Sequence, residues 1–263
     1  AVACVAGADG DRDALSDVCE VAFARAFAPV LRIAPDACNR DTNLDAPRLA
    51  GEYLFGVRPV SADTVRIVYL PAYHRDCGWS GPKCALGVMD CSSHSGDSEL
   101  IALTVARDAR TWQTVAVFLS AHCFGASAVN CRWYEGESLG RVEWALTPRG
   151  APVVWVAEGR NANYPSRAVC DGGHWLFDTC DRNDARLQYP IEPGRDIGSA
   201  AYPISVDGCV TRAELAGENP SIEAAAGVEC FWSDIAFTGW QVPAYGAATP
   251  YIHYLRMVFE KAR

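Results

Sequence analysis

The chain has 263 residues, 50% of them hydrophobic and 21% charged, which excludes intrinsic disorder and fits one large domain. A formal net charge of -9 makes nucleic acid a poor partner, because phosphate recognition needs a basic face. Twelve cysteines against two methionines point to disulfides and an oxidising compartment.

In chain order, residues 14–27 carry a helical period through Leu15, Val18, Cys19, Ala22 and Ala26, and Pro29 stops it. The N-terminal helical segment is thus expected within 1–30. The period then becomes two. Val65, Ile67 and Tyr69 share one face of a strand leading to Pro71. Asp97, Glu99, Ile101, Leu103 and Val105 share a face of a second. A third runs from Trp112 to His122, with Trp112, Thr114, Ala116, Phe118, Ser120 and His122 on one side. Val142–Leu146, Val153–Ala157 and a late stretch from Tyr251 to Phe259 complete the set. Turns at Gly81-Pro82, Pro148-Arg149-Gly150, Gly172-Gly173 and Pro193-Gly194 separate them. Many short strands with turn-rich spacers predict a mainly β, single-domain β-sandwich over 1–263, with an N-terminal helix and long disulfide-stapled loops. Residues 159–210 read as one long cysteine-tied loop region.

The cysteines lack a Cys-x-x-Cys pair, so thioredoxin chemistry and zinc ribbons lose their signature. Proximity suggests disulfides Cys123–Cys131, Cys170–Cys180 and Cys209–Cys230. No apolar run reaches the roughly 18–20 residues that span a bilayer. Ala1-Val2-Ala3-Cys4 reads as a mature terminus left after signal cleavage. The expected location is secreted, periplasmic or cell-surface, in a bacterium.

The densest polar cluster is His94-Ser95-Gly96-Asp97-Ser98-Glu99. Asp97 and Glu99 are two apart, so on a strand both carboxylates point to one side. Neighbouring carboxylates repel each other unless a cation compensates, which suits a hard divalent ion, calcium or magnesium ahead of zinc. Asp76 and His122 are further groups at expected strand ends, and His94 and His122 are the candidates for a general base. Asp178, Asp181 and Asp184 form a separate acidic loop that could hold structural calcium or simply bond to its own backbone. The plainer reading of 94–99 is a solvated strand end. Gly-x-Ser-x-Gly, His-Glu-x-x-His and a phosphate-cradling glycine loop are absent.

The order of motifs resembles a known group of secreted proteins. Phe27-Ala28-Pro29-Val30-Leu31-Arg32-Ile33 is followed by Tyr69-Leu70-Pro71-Ala72-Tyr73-His74-Arg75-Asp76 and then by His94, Asp97 and Glu99 in a His-x-x-Asp-x-Glu spacing. This is similar to the necrosis-inducing (NPP1-like) cytolysins, and with Gly96 it is closer to the Vps62-related family. Ser120-Ala121-His122 and the run Val156 to Ser166, with Asn161-Ala162-Asn163-Tyr164-Pro165, resemble later Vps62-related segments. The resemblance implies a β-sandwich whose acidic cavity holds a divalent cation and engages sugar head groups of membrane lipids. It places the ligands at Asp76, His94, Asp97 and Glu99. Ser98 departs from the family tryptophan, and Asn161 from the family histidine.

The expected function is therefore that of a secreted metal-binding protein that recognises a glycan or lipid-head-group surface through an acidic cavity. Two alternatives remain, the first of them built on the same site. One is a metal-dependent extracellular hydrolase in which His122 or His94 takes a proton from metal-bound water. The other is a structural cell-surface or filament subunit that could self-associate, for which the cue is the disulfide density together with the absence of a complete catalytic set.

Overall fold

The computed structural model describes residues 2, 4–9, 13–34, 52–76, 94–109, 111–121, 132–145, 150–158, 161–172, 178–183, 189–190, 192–196, 209–211 and 228–230. The strand expected at 251–259 lies outside them. The protein is mainly β, with two sheets packed on a shared core and one helix laid against it. Helix α1 spans Asp17–Ala26, later than the period suggests. The Asp9 carboxylate accepts the N–H groups of Asp13 and Ala14, and Asp13 accepts that of Leu15. Those bonds hold a turn in which Ala14 takes a left-handed φ of 77°, so the helix starts only after Ser16. Asp17 and Glu20 in the first turn and Arg25 in the last suit the helix dipole. The buried face also differs from the expected one. Cys19, Phe23, Ala24 and Phe27 are inside, whereas Val18 is 55% exposed and Ala26 is exposed. Phe23 stacks edge-on against Trp112 at 4.9 Å, and the buried Tyr69 hydroxyl donates to Ala24 O at 2.8 Å, pinning the helix to the sheet.

The strands in chain order are β1 (Val30–Arg32), β2 (Glu52–Ser61), β3 (Thr64–Asp76), β4 (His94–Ser98), β5 (Ile101–Asp108), β6 (Thr111–Leu119), β7 (Arg132–Glu135), β8 (Glu143–Trp144), β9 (Pro152–Val156), β10 (Asn163–Tyr164), β11 (Tyr189–Pro190), β12 (Glu192–Asp196), β13 (Cys209–Thr211) and β14 (Val228–Cys230). One sheet runs β12-β2-β3-β5-β6-β7, with β4 also paired to β3. The other runs β10-β9-β1-β11, with β8 on β9. Phe55, Ile67, Tyr69, Leu103 and Val117 from the first meet Leu31, Val154 and Val156 from the second. Val68, Ala102 and Phe118 alternate with these and are buried too, so the central strands are covered on both faces. On that other face Arg66 lies over the Trp133 ring at 4.3 Å. Burial pulls its guanidinium down to about 10, against the opposing pull of Glu135.

Three further expectations change. The side shared by Trp112 to His122 is broken by a bulge in β6. Thr104 pairs with Ala116 and Val105 with Thr114, which leaves Val115 unmatched and exposed. After it, Val117 and Leu119 join the core that Trp112 also packs against, and Phe118 faces the other way. Region 159–210 is not one loop. It contains β10, a short helix α2 (Arg167–Asp171), β11 and β12. Two disulfides are described. Cys170–Cys180 matches the expected pair, and Cys4–Cys19 ties the N-terminal segment to α1. Cys209 stands opposite Cys230 in the β13–β14 ladder, while Cys123 and Cys131 lie outside the described residues.

Candidate functional site

The antiparallel register sets the expected ligand positions near one corner of the first sheet but divides them between its two faces. Asp76 stands opposite His94, and Tyr73 opposite Asp97. Opposed residues share a face and a strand alternates, so register positions 76 and 94 belong to one face and 73 and 97 to the other. Two ladders, β3–β4 and β3–β5, share a single register. Continuing either across the gap sets Pro71 opposite Glu99. Proline has no N–H to give, so the ladder is interrupted there.

At that interruption Glu99 is only 8% exposed, not at an open strand mouth as its sequence setting suggests. Ser120, at the end of β6, resolves its burial. The Ser120 hydroxyl donates to Glu99 Oε2 and accepts the Leu100 N–H at 2.6 Å, and the Ser120 N–H donates to Leu100 O at 3.0 Å. The Ser120 carbonyl is left to accept the N–H of Asn163 at 3.0 Å, from the second sheet. One serine therefore ties the carboxylate, the broken strand and the two sheets together.

The second sheet adds polar groups that the resemblance touched but did not assign. Asn161, Asn163 and Tyr164 are all about 1% exposed. Asn161 adopts a left-handed φ of 57° in the turn from β9 to β10, a conformation asparagine tolerates. The Tyr164 hydroxyl donates to Asp178 Oδ2 at 2.5 Å. Burial first, and then the charges of Asp178 and Glu99, push the Tyr164 hydroxyl well above the ordinary tyrosine range. Tyr164 thus lies within the electrostatic reach of an acid from each expected site.

The acidic loop does not act as a unit. Asp178 is 6% exposed and faces Tyr164, whereas Asp181 is exposed and Asp184 lies outside the described residues. Asp171 accepts the Cys180 N–H at 2.7 Å beside the Cys170–Cys180 disulfide. Asn183 donates its side-chain N–H groups to Arg32 O and Val156 O, at 2.8 and 2.9 Å, fastening the loop to the ends of β1 and β9. His122, the other candidate base, lies outside the described residues. Among the described residues, no group of three or more His, Cys, Asp or Glu side chains is disposed to hold a metal. No helix among them is long and apolar enough to cross a membrane.

One acidic segment escaped the sequence reading. Asp9, Asp13, Asp17 and Glu20, with Asp11 outside the described residues, follow the first, fifth, ninth and twelfth positions of a calcium loop that opens on a helix. Aspartates at every second position would have flagged it. Alanine stands where that loop needs glycine, and Asp9 is engaged by the backbone turn already described. Comparison with protein-family models, curated proteins and solved structures finds no match to this chain.

Proposed function

We propose that this chain is a secreted β-sandwich module that recognises a glycan or lipid-head-group surface through an acidic corner holding a calcium- or magnesium-type cation. The observation that carries the reading is Glu99, buried at the ladder gap made by Pro71 two residues after Asp97, on the face opposite to the Asp76 and His94 pair. A carboxylate withdrawn from water is stabilised by donors, as by the Ser120 hydroxyl, and can equally serve as a hard ligand to a cation. Hard carboxylate oxygens suit calcium or magnesium better than zinc. A bound cation can bridge sugar hydroxyls, which a bare acidic pocket binds poorly. The described disulfides agree with an extracellular setting.

The test is calorimetric titration of the whole chain with calcium and with magnesium, beside Asp97→Asn, Glu99→Gln and Asp13→Asn. Binding by the parent, lost in the first two variants and kept in the third, is the expected pattern. Loss in Asp13→Asn alone moves the cation to residues 9–20 and overturns the reading. Co-sedimentation with phosphatidylcholine vesicles, with and without a glycosylated lipid, then checks the surface. Capture that needs both the sugar and the cation is expected, and capture indifferent to either refutes the recognition half.

A further inference from the structure

Among the described residues, the side-chain oxygen of Asn163 is a buried polar atom without a hydrogen-bond partner. The residue is 1% exposed. Its Nδ2 reaches Leu100 O only at 3.5 Å, the outer limit of a hydrogen bond. That single long contact does not explain why a primary amide is buried. Asn183 shows the contrast. Its Oδ1 is also unpartnered, but its nitrogen is committed to two carbonyls at 2.8 and 2.9 Å, which explains the residue structurally.

Position says what the Asn163 oxygen is for. Asn163 pairs with Val156, which packs in the core common to both sheets, so its side chain is on the face of β10 turned towards the first sheet. It meets that sheet at Leu100 and Ser120, the two residues that flank and bind Glu99. A flipped amide would set its oxygen against the Leu100 carbonyl, so the nitrogen belongs there and the oxygen is directed elsewhere in the same space. Asn163, through its backbone N–H, and the Glu99 carboxylate are both joined to Ser120, and an amide oxygen with a carboxylate oxygen at one joint is the donor pair that suits a hard cation.

We propose that Asn163 Oδ1 is a ligand of the cation site, which is therefore shared between the two sheets and tuned to calcium or magnesium by a neutral oxygen. This inference rests on the function proposed above. It assigns the second sheet a direct part in binding, and it makes the joint at Ser120 the place where binding and sandwich closure meet.

The experiment is metal titration of the full chain carrying Asn163→Asp or Asn163→Leu, with Glu99→Gln alongside and thermal unfolding recorded in chelator and in calcium. Asn163→Leu is expected to weaken calcium about tenfold or more, the usual scale for disturbing a metal's immediate surroundings. Asn163→Asp keeps the shape and adds a charge. It is expected to tighten calcium and to melt lower in chelator, with calcium restoring the lost stability. An asparagine that only fills space gives no such rescue. If Asn163→Asp leaves calcium affinity unchanged or weaker while Glu99→Gln abolishes it, this inference falls and the proposed function stands. If the parent chain binds neither calcium nor magnesium, both fall.

Discussion

Ser120→Ala is the sharpest probe of the joint between the sheets. The substitution removes one oxygen and leaves the backbone free to stay as it is. Two interactions vanish: the hydrogen bond to the Glu99 carboxylate and the acceptor of the Leu100 N–H. Both lie in a buried setting, with Ser120 and Leu100 each 1% exposed. A hydrogen bond to a charged group contributes about 1.5–3 kcal/mol, and a buried N–H left without its acceptor costs about 1–3 kcal/mol. The expected loss is therefore about 3 kcal/mol or more, a drop of roughly 6–12 °C in Tm for a chain of this size. Urea unfolding of the parent, Ser120→Ala, Glu99→Gln and the double variant measures it as a cycle. Residues in one hydrogen-bond network are expected to couple by about 0.5–3 kcal/mol. A Ser120→Ala loss under about 0.5 kcal/mol, the scale of an ordinary surface change, would refute the role given to Ser120.

Two further outcomes concern the loop beneath Tyr164. A tyrosine whose folded pKa is raised keeps its proton at pH values where the unfolded chain has lost it. Its contribution is complete below about pH 10 and declines by about 1.4 kcal/mol per pH unit above it. Tyr164→Phe should remove that slope from urea unfolding between pH 9 and 11, leaving the slope due to Tyr69, which burial also raises, and the opposite one due to Arg66 above about pH 10. Parallel pH profiles for parent and variant would contradict the burial of the Tyr164 hydroxyl. Replacing Cys170 and Cys180 together by serine opens a loop of sequence separation 10 and is expected to cost about 2.5–3 kcal/mol. Because that loop delivers Asp178, the serine pair and Tyr164→Phe should be less than additive in thermal unfolding, and strict additivity counts against the coupling.

The corner was partly legible from the residues alone. Glu99 stood out because an acid opening an apolar strand is unusual, and its neighbours Asp97 and His94 lay in the same short run. The segment from Asn161 to Pro165 stood out by resemblance, yet nothing in it said that Asn163 would meet Leu100 or that Tyr164 would meet Asp178. Those meetings join residues up to 63 positions apart, and they depend on which strand ends approach when the sheets stack. The helix was visible as a period, but its buried face was misjudged. Phe23 and Phe27 are buried on that face, and the Asp9 turn delays the first helical residue.

Local chemistry decided the β class, the helix before Pro29 and the Cys170–Cys180 pair, because alternation, proline and short cysteine spacing act within a few residues. The sheets decided what those rules could not reach. A bulge at Val115 reversed one strand's faces, and the missing N–H of Pro71 opened the ladder opposite Glu99. The same serine that closes one sheet at Glu99 accepts the other sheet at Asn163. A buried polar group takes its partner from whatever backbone is packed beside it, and that neighbour is chosen by strand order and register, which no short stretch of sequence contains.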